Sequence, residues 1–268
     1  MTSILITAGT VGGVGLACGV ALALAARFLA VKEDPRIAAV TELLPGANCG
    51  GCGYAGCADY AKAIVVDGAA INLCAPGGQE VLDRLSEYLG QEAEAGEKKV
   101  ALVLCGGDAD KAPRRYAYNG VADCAAAHAV AGGDKICAHG CLGYGSCARV
   151  CPTGAIAIEN GLAVVNPALC ISCGACVKAC PRNLIRLVPI SRDVHVLCSS
   201  KDKGPVVKKA CSVGCIGCRL CVKLGGDAFE MDGFLAHRQY HAKLDEETGD
   251  KVVGKCPGNC IVRRSLAS

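Results

Sequence analysis

The sequence predicts an α+β protein in four parts: an apolar N-terminal helix, a small helical unit rich in cysteine, and two pseudo-repeated βαβ lobes. Three observations carry that expectation. The 268-residue chain holds 22 cysteines, most of them in closely spaced runs. Residues 4–26 contain no charged side chain. An Asn160-Gly161 pair separates two short apolar stretches between two of the cysteine runs.

The first part covers residues 1–30. As a helix, residues 4–26 extend roughly 34 Å, enough for a bilayer core, so a transmembrane anchor is expected. A cleaved leader needs a basic start and a shorter apolar stretch. This segment has neither, although Ala23-Leu24-Ala25 resembles a cleavage site. Arg27, Lys32 and Arg36 follow the segment and no basic residue precedes it. By the positive-inside rule the chain is single-pass, with its bulk on the cytoplasmic side of a cell membrane. Gly9 and Gly13, and Gly15 and Gly19, have the four-residue spacing that lets helices approach closely. That spacing points to membrane partner subunits. Cys18 reads as a small apolar residue.

The second part is residues 34–95. Asp34-Pro35 is a helix start. A glycine-rich loop then carries Cys49, Cys52 and Cys57, and Cys74 follows. Glycine lets backbone wrap a cluster and aim its amides at sulfur. Together the four make one complete ligand set. Val81 to Leu89 reads as an amphipathic helix, and 91–99 as a polar linker.

The third and fourth parts are residues 100–190 and 191–268. Val100 to Cys105 is a buried-strand signal, and Val194 to Cys198 repeats its form. Each is followed by an isolated cysteine, Cys124 or Cys211, and then by a cysteine run, which looks like a weak internal repeat. Cys105, Cys124, Cys198 and Cys211 are therefore candidates for one shared ligand set, the alternative being buried free thiols. The first run is Cys137, Cys141, Cys147, Cys151-Pro152. The second is Cys170, Cys173, Cys176, Cys180-Pro181, which has the C-x2-C-x2-C-x3-C-P spacing of bacterial ferredoxins. The Asn-Gly hairpin joins the two, as a two-cluster ferredoxin-like βαβ lobe requires. In such lobes the cysteine before proline crosses to the other cluster. Cys137, Cys141 and Cys147 then group with Cys180, and Cys170, Cys173 and Cys176 with Cys151.

The last run is Cys211, Cys215, Cys218 and Cys221, with Gly225 where a fourth cysteine is expected. Three Cys-Pro hexads align, beginning at Cys151, Cys180 and Cys256. Cys256 thus completes Cys215, Cys218 and Cys221 in a lobe that keeps one cluster. Cys18 and Cys260 remain spare.

These sets predict four [4Fe–4S] clusters and a possible fifth, a series of one-electron stores. A secreted disulfide framework does not explain repeated Cys-Pro runs. Zinc is the competing metal, since C-x2-C pairs also build zinc ribbons. Cys211-x3-Cys215-x2-Cys218 also spells a radical-SAM triplet, but Cys221 and Cys256 can complete its ligand set and no room remains for a barrel. No hydrolytic triad, Walker loop or dinucleotide fingerprint is present, and the five histidines are scattered. No complete active site is expected beyond the clusters. The formal charge of +3 counts thiols as neutral; five all-cysteine centres at about −2 each would bring it to roughly −7. Nucleic-acid binding has no support.

Across nearly its whole length the chain resembles the B subunit of the Rnf electron-transport complex, the ion-translocating ferredoxin:NAD oxidoreductase. Besides the cysteines, Gly140-Cys141-Leu142-Gly143-Tyr144-Gly145 and Val213-Gly214-Cys215-Ile216-Gly217-Cys218 carry the resemblance. It implies a component of a Na+- or H+-transporting translocase in a bacterial or archaeal inner membrane. Soluble ferredoxin would be the electron donor, and membrane subunits and the lipid bilayer the other partners. Flavin and NAD chemistry would lie on sister subunits. The single-cluster lobe after Cys211 departs from a simple two-cluster form. The alternatives are a polyferredoxin component of a non-pumping membrane oxidoreductase and a zinc-stapled membrane scaffold.

Overall fold

The computed structural model describes residues 2–28, 34–94 and 96–267. Helix α1 runs from Thr2 to Phe28. The single-pass anchor expected there is not supported: among the described residues no helix is long and apolar enough to cross a membrane. Val11, Leu16 and Leu22 on α1 are exposed. Lys32, used in the orientation argument, lies outside the described residues.

Three helices build the next unit: α2 (Pro35–Leu43), α3 (Cys57–Asp67) and α4 (Gly78–Leu89). Asp34 caps α2 by accepting from the Arg36 amide at 2.9 Å, with Pro35 in the first turn. Gly68 and Gly90 end α3 and α4 in the left-handed conformation that favours glycine. Val40, Leu44, Tyr60, Ile64, Val81, Leu82 and Leu85 form the core. The Tyr60 hydroxyl donates to the Ala70 carbonyl at 2.7 Å and accepts from the Leu73 amide at 3.1 Å. It thereby ties the chain just before Cys74 to the helix that begins at Cys57.

Two lobes of one plan follow. In the first, β1 (Lys99–Val103) pairs antiparallel with β4 (Ile185–Pro189), and β2 (Ile156–Glu159) with β3 (Leu162–Val165). The second pairs β5 (Val194–Val196) with β8 (Ile261–Arg263), and β6 (Phe229–Asp232) with β7 (Leu235–Arg238). Each lobe thus joins its first and last strands around an inner hairpin. The predicted β2–β3 hairpin turns on Asn160 (φ 44) and Gly161 (φ 69), the two positive dihedrals of a type I′ turn.

The α+β class holds, but the βαβ expectation is corrected. Every strand pair among the described residues is antiparallel. A parallel crossover needs a dozen or more residues, whereas the helices after the cysteine runs, α6 (Ser146–Arg149) and α7 (Ala175–Ala179), have four and five. The remaining helices are α5 (Cys124–Ala129), α8 (Gly204–Ala210), α9 (Leu220–Gly225) and α10 (Glu246–Gly254).

Candidate metal centres

Three cysteine loops share one backbone path. Two residues after the first cysteine the chain is left-handed, at Gly143, Ser172 and Gly217. Two residues before the third cysteine it is left-handed again, at Gly145, Gly174 and Arg219. This register matches Cys141, Cys170 and Cys215 to one another, and Cys147, Cys176 and Cys221. The middle position is Cys173 or Cys218 in two loops and Tyr144 in the third. The first run therefore reads Cys141-x2-Tyr144-x2-Cys147-x3-Cys151-Pro152, the ferredoxin spacing with tyrosine in the second slot. Cys137 stands outside it.

The aligned Cys-Pro hexads also share a path. Their fourth residues, Gly154, Asn183 and Asn259, have φ of 64, 53 and 46. That bend lets the Ala155 amide donate to the Cys151 sulfur at 3.3 Å and the Leu184 amide to Cys180 at 3.4 Å. In the third hexad the Cys256 and Cys260 sulfurs approach to 3.8 Å.

All 22 cysteines are free thiols. Four cavities of similar size, 360, 360, 380 and 320 Å3, are each lined by at least four of them. Cys151, Cys170, Cys173 and Cys176 line one, as the crossing rule predicts. Cys215, Cys218, Cys221 and Cys256 line another, with Cys260 beside them. The other two groupings exchange a member relative to expectation. Cys124, not Cys137, joins Cys141, Cys147 and Cys180. Cys137, not Cys124, joins Cys105, Cys198 and Cys211. In the helical unit Cys49 and Cys52 lie on the loop before α3, Cys57 begins α3 and Cys74 follows it, and the first three act electrostatically on Cys74.

A local network causes the exchange. Asp123 caps α5 by accepting from the Ala125 and Ala126 amides at 2.8 and 3.1 Å. It also accepts from the Ser146 hydroxyl at 2.7 Å and from Arg149 at 2.8 Å. The Cys124 amide donates to that same hydroxyl at 2.7 Å. Helix α5 is so pinned to α6, which carries Cys147. The Ser146 hydroxyl bond and the amides hold the Asp123 carboxyl down at about 2. Tyr144 turns away from the cavity. Its hydroxyl donates to the Asp134 carboxylate and accepts from Arg114, both at 2.7 Å.

The Cys105, Cys137, Cys198 and Cys211 cavity lies between the lobes. The Gly106 amide donates to the Leu197 carbonyl at 3.0 Å, and the Ser199 hydroxyl to the Leu104 carbonyl at 2.8 Å. These bonds set the ends of the two first strands side by side. The lobes contribute equivalently, since Cys137 and Cys211 each stand four residues before a loop's first cysteine, Cys141 or Cys215.

The donor chemistry fits iron–sulfur clusters. Burial pushes the thiols up, Cys105 and Cys176 to about 11 and Cys147 to about 12, so lone thiolates there are costly and a metal core offsets that cost. Amides already point at sulfur, including Ala101 to Cys170 and Ala236 to Cys215, both at 3.4 Å. A Cβ on Gly107 would lie 3.2 Å from the Cys211 sulfur, and one on Gly140 3.4 Å from the Cys137 sulfur. Buried Lys135 and half-buried Arg182 bring basic side chains to this region. The Lys135 amine donates to the Gly107 carbonyl at 2.9 Å, and Arg182 to the Cys137 and Gly140 carbonyls. Among the described residues no group of three or more His, Cys, Asp or Glu closes on a single ion; the sulfurs surround cavities, as a polynuclear body requires.

An α+β scaffold whose cysteine loops repeat in this manner defines an iron–sulfur protein. Residues 163–186 match the 4Fe-4S binding domain family, and residues 44–76 match the FeS family, described as "Putative Fe-S cluster". The B subunit of the ion-translocating oxidoreductase complex of Methanosarcina acetivorans is 46% identical over 270 residues, 98% of this chain and 100% of that protein. The B subunit of the Na(+)-translocating ferredoxin:NAD(+) oxidoreductase complex of Acetobacterium woodii is 44% identical, covering 97% of this chain and 78% of its own length. The proton-translocating counterpart from Clostridium ljungdahlii is 40% identical, with 92% and 88% covered. The chain belongs to the family of B subunits of ion-translocating oxidoreductase complexes, as the resemblance implied.

Proposed function

We propose that this chain is the electron relay of an ion-translocating ferredoxin:NAD oxidoreductase, with five cysteine sets forming one continuous wire. Its ligand sets are Cys49/Cys52/Cys57/Cys74, Cys151/Cys170/Cys173/Cys176, Cys124/Cys141/Cys147/Cys180, Cys105/Cys137/Cys198/Cys211 and Cys215/Cys218/Cys221/Cys256. A bound [4Fe–4S] group supplies reversible one-electron storage.

The observation that carries this reading is that successive sets lie close to one another. A Cβ on Gly51, between Cys49 and Cys52, would lie 3.0 Å from the Cys173 carbonyl oxygen. Cys147 lies within electrostatic reach of Cys176. The Cys141 amide donates to the Cys105 sulfur at 3.3 Å. Cys215 likewise acts electrostatically on Cys198. These four approaches run through the five sets in series.

In this reading ferredoxin delivers electrons on the cytoplasmic side, and partner subunits receive them for NAD reduction coupled to Na+ or H+ movement. Membrane association runs through those partners, with the exposed, glycine-spaced face of α1 as the docking element. Anaerobic iron and acid-labile sulfide analysis tests the wire: about 20 irons per chain are expected for five all-cysteine cubanes, and about 16 would remove one set. Ferredoxin-driven NAD reduction by the assembled complex, with and without an ionophore, tests the coupling.

A further inference from the structure

We infer that electrons enter at the Cys215/Cys218/Cys221/Cys256 end, where a small acidic one-electron carrier protein docks on a basic face centred on Cys218 and Arg219. The inference rests on the relay proposed above and adds its polarity and its docking surface.

Three observations converge on this end. The first is access. Of the twenty cysteines in the five sets, Cys218 alone is exposed. Arg219, Leu220 and Pro257, which line the same cavity, are exposed around it. Phe234 is 42% exposed and packs by its backbone against Gly217. An exposed ligand ringed by apolar side chains allows a carrier to bring its own centre close.

The second is charge. The lobe that holds this set, residues 191–268, carries thirteen basic and nine acidic side chains, and its stretch 199–225 six basic and one acidic. Lys203 adjoins Gly204, which packs on the Ile216 carbonyl, and Lys255 directly precedes Cys256. Among the described residues Lys203, Arg219, Lys223 and Lys255 make no ion pair. The opposite end is acidic: residues 34–94 carry nine acidic and three basic side chains. The whole-chain charge of +3 conceals this division. An acidic carrier is therefore attracted to one terminus and repelled from the other.

The third is topology. The Cys218 set stands at one end of the proposed series, approached through Cys215 and Cys198. A cluster held by these four cysteines would accept one electron from the reduced carrier, which is thereby oxidised; no bond or proton needs to move.

The test uses the full chain with its clusters and a reduced acidic two-cluster bacterial ferredoxin as probe. Lys203→Glu/Arg219→Glu/Lys255→Glu is compared with Lys62→Glu/Lys98→Glu/Lys178→Glu, an equal charge change placed elsewhere. Stopped-flow absorbance gives the second-order rate of cluster reduction, and anisotropy of the labelled oxidised carrier gives equilibrium binding. The first variant is expected to lose about tenfold or more in rate and affinity at low salt, with the difference collapsing at high salt. The control is expected to stay within about twofold. Equal rates for the two variants, or a larger loss in the control, overturn the docking face. So does loss of binding to anionic vesicles with carrier rates intact, which makes the patch a lipid contact. A wild-type chain that reduced ferredoxin cannot reduce at all defeats the relay reading itself, a separate outcome. If the triple variant loses iron, Arg219→Gln must show a smaller loss in the same direction.

Discussion

Double replacements decide which cysteines share a centre. The structure groups Cys124 with Cys180 and Cys105 with Cys137. Spacing alone groups Cys124 with Cys105 and Cys137 with Cys180. Removing one cysteine leaves three donors in either scheme, so single variants do not discriminate. Pairs do. Cys124→Ala/Cys180→Ala strikes one set in the structural grouping and two in the spacing-based one. With four irons per all-cysteine cubane, the double variant should retain about 16 of about 20 irons. Cys124→Ala/Cys105→Ala strikes two sets and should retain about 12. The order inverts if spacing is right. The assay is iron and labile sulfide per chain after anaerobic purification, with size-exclusion elution confirming intact protein. About 12 irons in the first variant and about 16 in the second would refute the exchange and, with it, the argument that the Asp123–Ser146–Arg149 network steers Cys124.

Three further outcomes follow from particular contacts. Tyr144 holds the slot filled by Cys173 and Cys218 in the sister loops, so Tyr144→Cys should return Cys124→Ala from about 16 to about 20 irons; losing the hydroxyl bond to buried Asp134 should cost about 1–3 kcal/mol, read as a lower denaturation midpoint. Gly107→Ala puts a methyl 3.2 Å from the Cys211 sulfur and 2.9 Å from Ala112 Cβ, so one set should be lost selectively, and a variant with a full iron content would count against the tight cradle. His195 is fully buried on β5, bonded to the Tyr240 hydroxyl at 3.0 Å, and burial lowers it to about 4, with Asp193, Arg238 and Arg264 nearby. The unfolded chain binds its proton near pH 6.5 and the folded chain does not until about pH 4, so stability falls by up to about 3 kcal/mol as pH drops through that window. His195→Gln should flatten the pH dependence of denaturant-induced iron release over that range, and an unchanged profile would remove His195 as its source.

What the sequence disclosed and what it concealed have distinct physical causes. Ligand sets closed by neighbouring residues were legible. Cys170, Cys173 and Cys176 sit on one loop, and Cys151 reaches them because a proline-fixed bend follows it. The Asn160-Gly161 turn was legible because its two positive dihedrals restrict residue choice. Cys124 was not, since its partners are chosen by side-chain bonds between two short helices, and no spacing rule encodes Asp123 meeting Ser146. A weaker signal did exist: allowing one non-cysteine in the ferredoxin pattern aligns Tyr144 with Cys173 and leaves Cys137 four residues upstream, the offset at which Cys211 precedes Cys215. Cys124 and Cys211 both look isolated in sequence, whereas it is Cys137 that matches Cys211 in position, each four residues before a loop's first cysteine. The uncharged length of residues 4–26 predicts a membrane span, whereas among the described residues no helix is long and apolar enough to cross a membrane. The charge division was equally hidden by summation. The net −6 of residues 34–94 and the net +5 of residues 199–225 nearly cancel in the total, yet a carrier approaching either end meets only the local field.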